Sequence, residues 1–105
     1  MSEKYDVKVS IEAEKDLQNI IIYIKDKLKE PSIARKHINL MRKEIKSLEY
    51  YPQRHVIIDN ERIKKLEFRK LIIKNYIAFY RINEEKKIVN VERVIYVASD
   101  WLYEL

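Results

Sequence analysis

Apolar Tyr5, Val7 and Val9 alternate with polar or charged neighbours, the period of two expected of a half-buried strand. The period then lengthens. Ala13, Leu17, Ile20, Ile21, Ile24 and Leu28 recur at helical spacing, with Ser10 placed as an N-cap and Glu12, Glu14 and Asp16 near the positive end of the helix. Pro31 forbids its continuation. Ser32 then caps a second helix, on which Ala34, Ile38, Met41, Ile45 and Leu48 form one apolar stripe until Pro52 ends it. A sharp break between two such helices predicts an antiparallel hairpin whose stripes bury each other and a further surface.

Residues 52–65 read as a polar connection, after which three strand-like runs follow at 66–74, 76–82 and 87–97. Asn75 and the stretch Asn83 to Lys86 supply the turns, Asn and acidic residues standing in for glycine. Residues 99–105 form a last helical turn or two, capped by Ser99 or Asp100, with Trp101 and Leu102 free to dock. The predicted fold is α+β: an N-terminal strand and an antiparallel helical hairpin packed on one face of a mostly antiparallel four-stranded sheet, with a short C-terminal helix. All 105 residues fit a single domain.

Composition narrows the chemistry. The chain has no cysteine, which removes disulfides, thiolate metal sites and cysteine nucleophiles. Glycine is absent too, which removes the P-loop, the dinucleotide fingerprint and the kinase loop. No cofactor is called for, and neither His37 nor His55 belongs to a metal-ligand spacing. Without a long apolar run or a secretory leader, the expected location is the cytoplasm, with no membrane partner.

The net charge of +5 and a pI near 9.3 point to a polyanionic partner. Residues 62–74 hold Arg62, Lys64, Lys65, Arg69, Lys70 and Lys74 against Glu67 alone, so this short piece carries as much charge as the whole chain. One sheet face is expected to stay free of the helices. Cations beside Tyr and Phe rings on such a face suit RNA, with Arg54, Lys64, Lys65, Lys70 and Lys74 on phosphates and the rings as stacking platforms. Lysines also protect sheet edges from pairing. Arg69 and Arg81 lie mid-strand, where a guanidinium needs either a carboxylate or an anionic ligand. Glu44, Glu49 and Glu92 are candidates for ion pairs, and His55 for a loop acid or base. Period alone does not say which alternating set of either strand faces the helices.

Several local patterns recur in order: the helix with Ala13, Asp16-Leu17 and Ile20, the helix with Ala34, Ile45, Leu48 and Pro52, the strand led by Arg69, the run Asn75-Tyr76 to Phe79-Tyr80, the strand ending Arg93-Val94 to Tyr96, and Asp100 before a closing helix. Taken together over nearly the whole chain, they resemble the RelE/ParE superfamily of toxins from type II toxin–antitoxin modules. The resemblance implies ribosome-dependent mRNA cleavage as the leading activity, with inhibition of DNA gyrase without catalysis, or a catalytically degenerate member acting as a binding module, as the alternatives. It also implies a cognate antitoxin as partner, with operator DNA reached only through the antitoxin complex. In the cleaving case, Arg69 is implied to stabilise the scissile phosphate, with Arg81 and Tyr96 as further catalytic candidates.

Attack of a 2′-hydroxyl on its phosphodiester needs a base, an acid and charge stabilisation, and arginine serves only the last. Lys70, Lys74 or Tyr96 would have to move protons. Members of the family commonly carry one or two arginines between the last strand and the aspartate, where this chain has Val97-Ala98-Ser99. A gyrase-binding inhibitor loses nothing by that departure.

Overall fold

The computed structural model describes residues 3–105. Strand β1 (Asp6–Val9) leads into helices α1 (Ile11–Leu28) and α2 (Pro31–Lys46), followed by β2 (Arg69–Ile73), β3 (Tyr76–Asn83), β4 (Ile88–Tyr96) and the single-turn α3 (Trp101–Glu104). The sheet order is β1-β4-β3-β2, with β1 parallel to β4 and the other pairs antiparallel. No helix among the described residues is long and apolar enough to cross a membrane.

Ser10 caps α1 as its position predicts, its Oγ accepting from the Ala13 N–H at 2.9 Å. The start of α2 differs from expectation. Glu30 occupies the cap position and Pro31 the first helical one, with Ser32 already inside the helix. Proline suits that place because its fixed φ matches the helix and its missing N–H would have had no helical partner. The first helix had already ended, at Lys29, which is left-handed at φ 53° and returns its N–H to the Lys25 carbonyl. At its far end α2 gives way to a 3₁₀ turn, Ser47–Glu49, before Pro52 is reached.

The helical stripes and one sheet face form the main core. Leu17, Met41 and Leu48 pack there with Leu71, Ala78, Tyr80, Val89, Val91 and Val94. The tyrosine-bearing set of β3 therefore faces the helices. Val91 and Val94 share this face because the register slips between Phe79 and Tyr80: Phe79 opposes Arg93 and Tyr80 opposes Val91, leaving Glu92 as a bulge.

The expected open face is not open. Ile77, Phe79 and Ile95 form a second cluster there with Phe68, Ile58 and Ile63 from the supposed polar connection, roofed by Trp101, Leu102 and Leu105. The physical reason lies in the odd positions of β3, where Ile77 and Phe79 would otherwise face water. Phe79 and Tyr80 are both fully buried, so neither ring is a stacking platform. The run at 66–74 is shortened for the same reason. Lys64–Leu66 is a 3₁₀ turn and Glu67 is left-handed, which swings Phe68 under the connection before β2 begins at Arg69.

Candidate functional site

The basic stretch does not form one surface. Arg62, Lys64 and Lys65 sit on the connection over the second face, and Lys74 makes the β2–β3 turn at φ 55°. Lys64 reaches Asp59 at 3.7 Å, Lys70 lies 5.5 Å from the centre of the Trp101 ring, and Arg62 lies 4.8 Å from that of Tyr103. These cations cover aromatic rings as well as presenting charge.

Arg69 starts β2 opposite Tyr80. Its Nη1 donates to the carbonyls of His55 and, at 3.3 Å, Gln53, which ties the segment after α2 to the sheet edge. The buried Tyr80 hydroxyl donates to the Pro52 carbonyl at 2.6 Å and completes that tie. Arg54 closes the end of the helical hairpin. Its Nη1 donates to the carbonyl of Tyr50 at 2.7 Å and its Nη2 to Ser47 Oγ at 2.9 Å. Here cations satisfy the carbonyls that a helix end leaves orphaned.

Arg81 projects from the opposite face of the sheet. Its Nε donates to the Leu66 carbonyl at 2.7 Å, its Nη1 stands 3.5 Å from Glu92, and its guanidinium lies over the Phe68 ring. Tyr96 is at the far end of β4, half exposed, its ring edge-on to Tyr76 at 5.7 Å between centroids. Tyr96 pairs with Tyr76, four strand positions from Tyr80, which sets it roughly 13 Å along the sheet from the Arg69 end. Arg69, Arg81 and Tyr96 thus occupy two faces and two ends, and the fold does not bring them together.

The titrating groups point the same way. Burial and the cationic Arg54 and Arg69 hold the His55 imidazole below its ordinary value, so it is neutral at pH 7. Its Nε2 is buried and has no hydrogen-bond partner among the described residues. Burial pushes the Tyr80 hydroxyl up to about 12, and it is already committed as a donor. The arrangement holds cations and apolar rings on rims. Among the candidate residues described, no base stands opposite an acid across a common point.

An arginine that ties three elements together was not among the candidates. Arg93 grips Asp16 of α1 through Nε at 2.8 Å and Nη2 at 3.1 Å, and its Nη1 donates to the Glu104 carbonyl at 3.0 Å. Asp16 also accepts from the Val94 N–H at 2.8 Å. That N–H lies on the stretch of β4 that β1 no longer covers, so one carboxylate caps a sheet edge and anchors α1 and the chain end. The bidentate match of Asp16 with an arginine near the end of the last strand was the available signal, but only the register reveals it.

Comparison with known proteins gives the fold a context. The family model described as the ParE toxin of the type II toxin–antitoxin system, parDE, matches residues 7–101. Among solved structures, the chromosomal ParDE toxin–antitoxin system from P. aeruginosa is similar at TM-score 0.74 and 20% identity, over 91% of this chain and 99% of that one. The RelBE2 toxin–antitoxin complex from Mycobacterium tuberculosis follows at 0.61 and 21%, over 91% and 94%. An archaeal RelE–RelB complex from Pyrococcus horikoshii OT3 is similar at 0.54 and 17%, over 90% and 97%. A search of curated proteins returned no match.

Proposed function

Because the chain belongs to the ParE toxin family of type II toxin–antitoxin systems, we propose that it acts by occupying DNA gyrase, without catalysis, and is neutralised by a cognate antitoxin. The observation that carries this reading is the dispersal of the strand arginines. Arg69 and Arg81 face opposite sides of the sheet, and each holds a loop by its backbone carbonyls. A surface of that kind recognises a protein by shape and rim charge. Val97-Ala98-Ser99, in place of further cations, fits the same reading. Support for the antitoxin comes from the solved relatives, all described as toxin–antitoxin systems or complexes.

The competing reading is ribosome-dependent mRNA cleavage, with Arg69 on the scissile phosphate and Arg54, Lys64, Lys65, Lys70 and Lys74 on the message. Only the partial exposure of Arg69 at a sheet edge favours it. Proton transfer would then depend on groups the ribosome supplies.

The deciding experiment adds purified protein to a gyrase supercoiling assay and, in parallel, to a translating extract in which mRNA 5′ ends are mapped. Loss of supercoiling with intact message is the expected result. New 5′ ends inside codons, with supercoiling unimpaired, would replace the proposal with mRNA cleavage. In the expected case Arg69→Ala lowers stability but leaves inhibition per folded molecule unchanged.

A further inference from the structure

Strand β4 runs on after its outer neighbour stops. Pairing with β1 ends at Val9 beside Val91, and Ser10 closes it, its N–H on the Val91 carbonyl at 2.9 Å and its Oγ on the Glu92 carbonyl at 2.8 Å. Two further hydrogen bonds fix which backbone groups beyond that point face outward. Val97 donates toward β3, to the Asn75 carbonyl at 2.8 Å, whereas Val94 donates the other way, to the Asp16 carboxylate at 2.8 Å. By strand alternation, Val94 and Tyr96 therefore direct their N–H and C=O groups to the open edge. Asp16 takes the Val94 N–H, and Ser99 donates its N–H and Oγ to the Tyr96 carbonyl at 3.0 and 2.8 Å. The Val94 carbonyl and the Tyr96 N–H are left without a partner among the described residues.

These two groups belong to a cleft of about 440 Å³ between α1 and the sheet edge, within the range of about 300–1,000 Å³ usual for small-molecule sites. Val94 and Ile95 line the cleft although their side chains are buried in the two cores, so it is backbone that they present. Asn19, Ile20 and Tyr23 of α1 form one wall, and Tyr76 and Tyr96, edge-on to each other, stand across from Tyr23. Tyr23 is 55% exposed, and Lys27, outside the lining, lies 5.6 Å from its ring centre. Asp16 precedes Tyr23 by about two turns of α1, so the charged end of the cleft stands about 10 Å from the aromatic one. At that charged end the groups are committed. Arg93 holds Asp16 and the Glu104 carbonyl, and Glu104 Oε2 accepts from Ser99 Oγ at 3.1 Å. Asp16 and Glu104 against Arg93 make a lining that repels a phosphate or carboxylate.

We propose that this cleft binds a neutral planar heterocycle of the nucleobase type, as free base or nucleoside, whose edge carries an N–H donor next to a nitrogen or carbonyl acceptor. The donor meets the Val94 carbonyl and the acceptor meets the Tyr96 N–H, the two groups that one residue of a further parallel strand would engage. The rings of Tyr23, Tyr76 and Tyr96 pack against the heterocycle, which every base permits because each has a π-face. An added peptide strand fits poorly. With the Glu92 and Tyr96 carbonyls and the Val94 N–H already satisfied, the edge has pairing left for a single residue. A nucleotide or an RNA strand fits poorly too, because the one guanidinium of the lining is already held by Asp16. The cations of residues 62–74 do not line this cleft, and nothing in the proposal depends on the toxin's target.

The test uses the full chain, isotopically labelled, with adenosine as the probe. Adenosine is expected to bind with a Kd of about a millimolar or tighter. At saturation it slows amide hydrogen exchange of Tyr96 by about tenfold or more, while Val97, already bonded to Asn75, stays unchanged. Purine riboside keeps the ring and its acceptor but lacks the amino donor, and it binds about tenfold weaker or worse. AMP binds no tighter than adenosine. Tyr23→Ala weakens adenosine binding by about tenfold without lowering the melting temperature, since the side chain is exposed, and Tyr23→Phe, which keeps the ring, binds as the parent does. Equal binding of purine riboside overturns the proposal, because the backbone pair is then not read. AMP or a short single-stranded RNA binding about tenfold tighter than adenosine overturns it too, and makes a phosphate-bearing ligand the occupant. Adenosine that binds but leaves Tyr96 unprotected, or that fails to bind at about 10 mM, overturns it as well.

Discussion

Asp16 and Arg93, 77 residues apart in the chain, form a bidentate pair that closes the sheet where β1 stops. Because the Asp16 carboxylate also accepts from the Val94 N–H, it cannot be removed without orphaning a backbone donor. Both side chains are mostly shielded, at 15% and 28% exposure. Asp16→Ala is therefore expected to cost about 2–3 kcal/mol, the range for charge-assisted hydrogen bonds left without a partner. Asp16→Asn, which keeps an acceptor for Val94, should cost less. Urea denaturation of the two variants checks the order.

Acid should loosen the segment after α2. The His55 imidazole is held below its ordinary value of 6.5 by burial and by Arg54 and Arg69, so the unfolded chain takes up a proton more readily than the native one. Stability then falls as pH drops below about 6.5 and levels off beneath the native value. His55→Phe removes the titration and should flatten that part of the stability profile, measured by denaturation at a series of pH values.

Alkali should act through Tyr80. With its hydroxyl pushed up to about 12, the native state keeps a proton that the unfolded chain loses near 10, so stability declines between those values. Ultraviolet titration should show at least one tyrosine resisting ionisation until about pH 12. Tyr80→Phe leaves the Pro52 carbonyl without its donor and is expected to cost about 1–2 kcal/mol.

Lys74 is left-handed at φ 55° in the two-residue turn between β2 and β3. A side chain there costs about 1–2 kcal/mol relative to glycine, against a smaller entropic loss from glycine's freedom in the unfolded chain. Lys74→Gly should stabilise the protein by up to about 1 kcal/mol, seen as a higher melting temperature.

Most of the architecture was legible because period and capping report it locally. Ser10 and the stripe from Ala13 to Ile24 specified α1, and Tyr76, Ala78 and Tyr80 separated cleanly from Ile77 and Phe79. What was hidden depends on register or on contacts far apart in sequence. The bulge at Glu92 shifts every face assignment beyond it, and no local pattern announces it. The parallel seating of β1 beside β4 is likewise a long-range choice. Ile58 and Ile63 look like strays in a polar stretch until Phe68 and Phe79 are seen beneath them. The turns were placed correctly, but the left-handed residues are Lys74 and Lys87 rather than Asn75 and the acids. Arg69 and Arg81 were singled out as needing partners, and they have them in backbone carbonyls, which sequence alone does not name.

With the sheet covered on both sides, little of its central area is left as a flat interface. What the molecule offers the world is lines: two strand edges that are each bridged for only part of their length, the outer arc of α2, and the rim where Tyr96 meets Tyr76. Such borders can be rewritten one residue at a time while the two cores beneath them stay unchanged. A small scaffold of this kind can change its target, or escape a neutralising partner, without relearning how to fold.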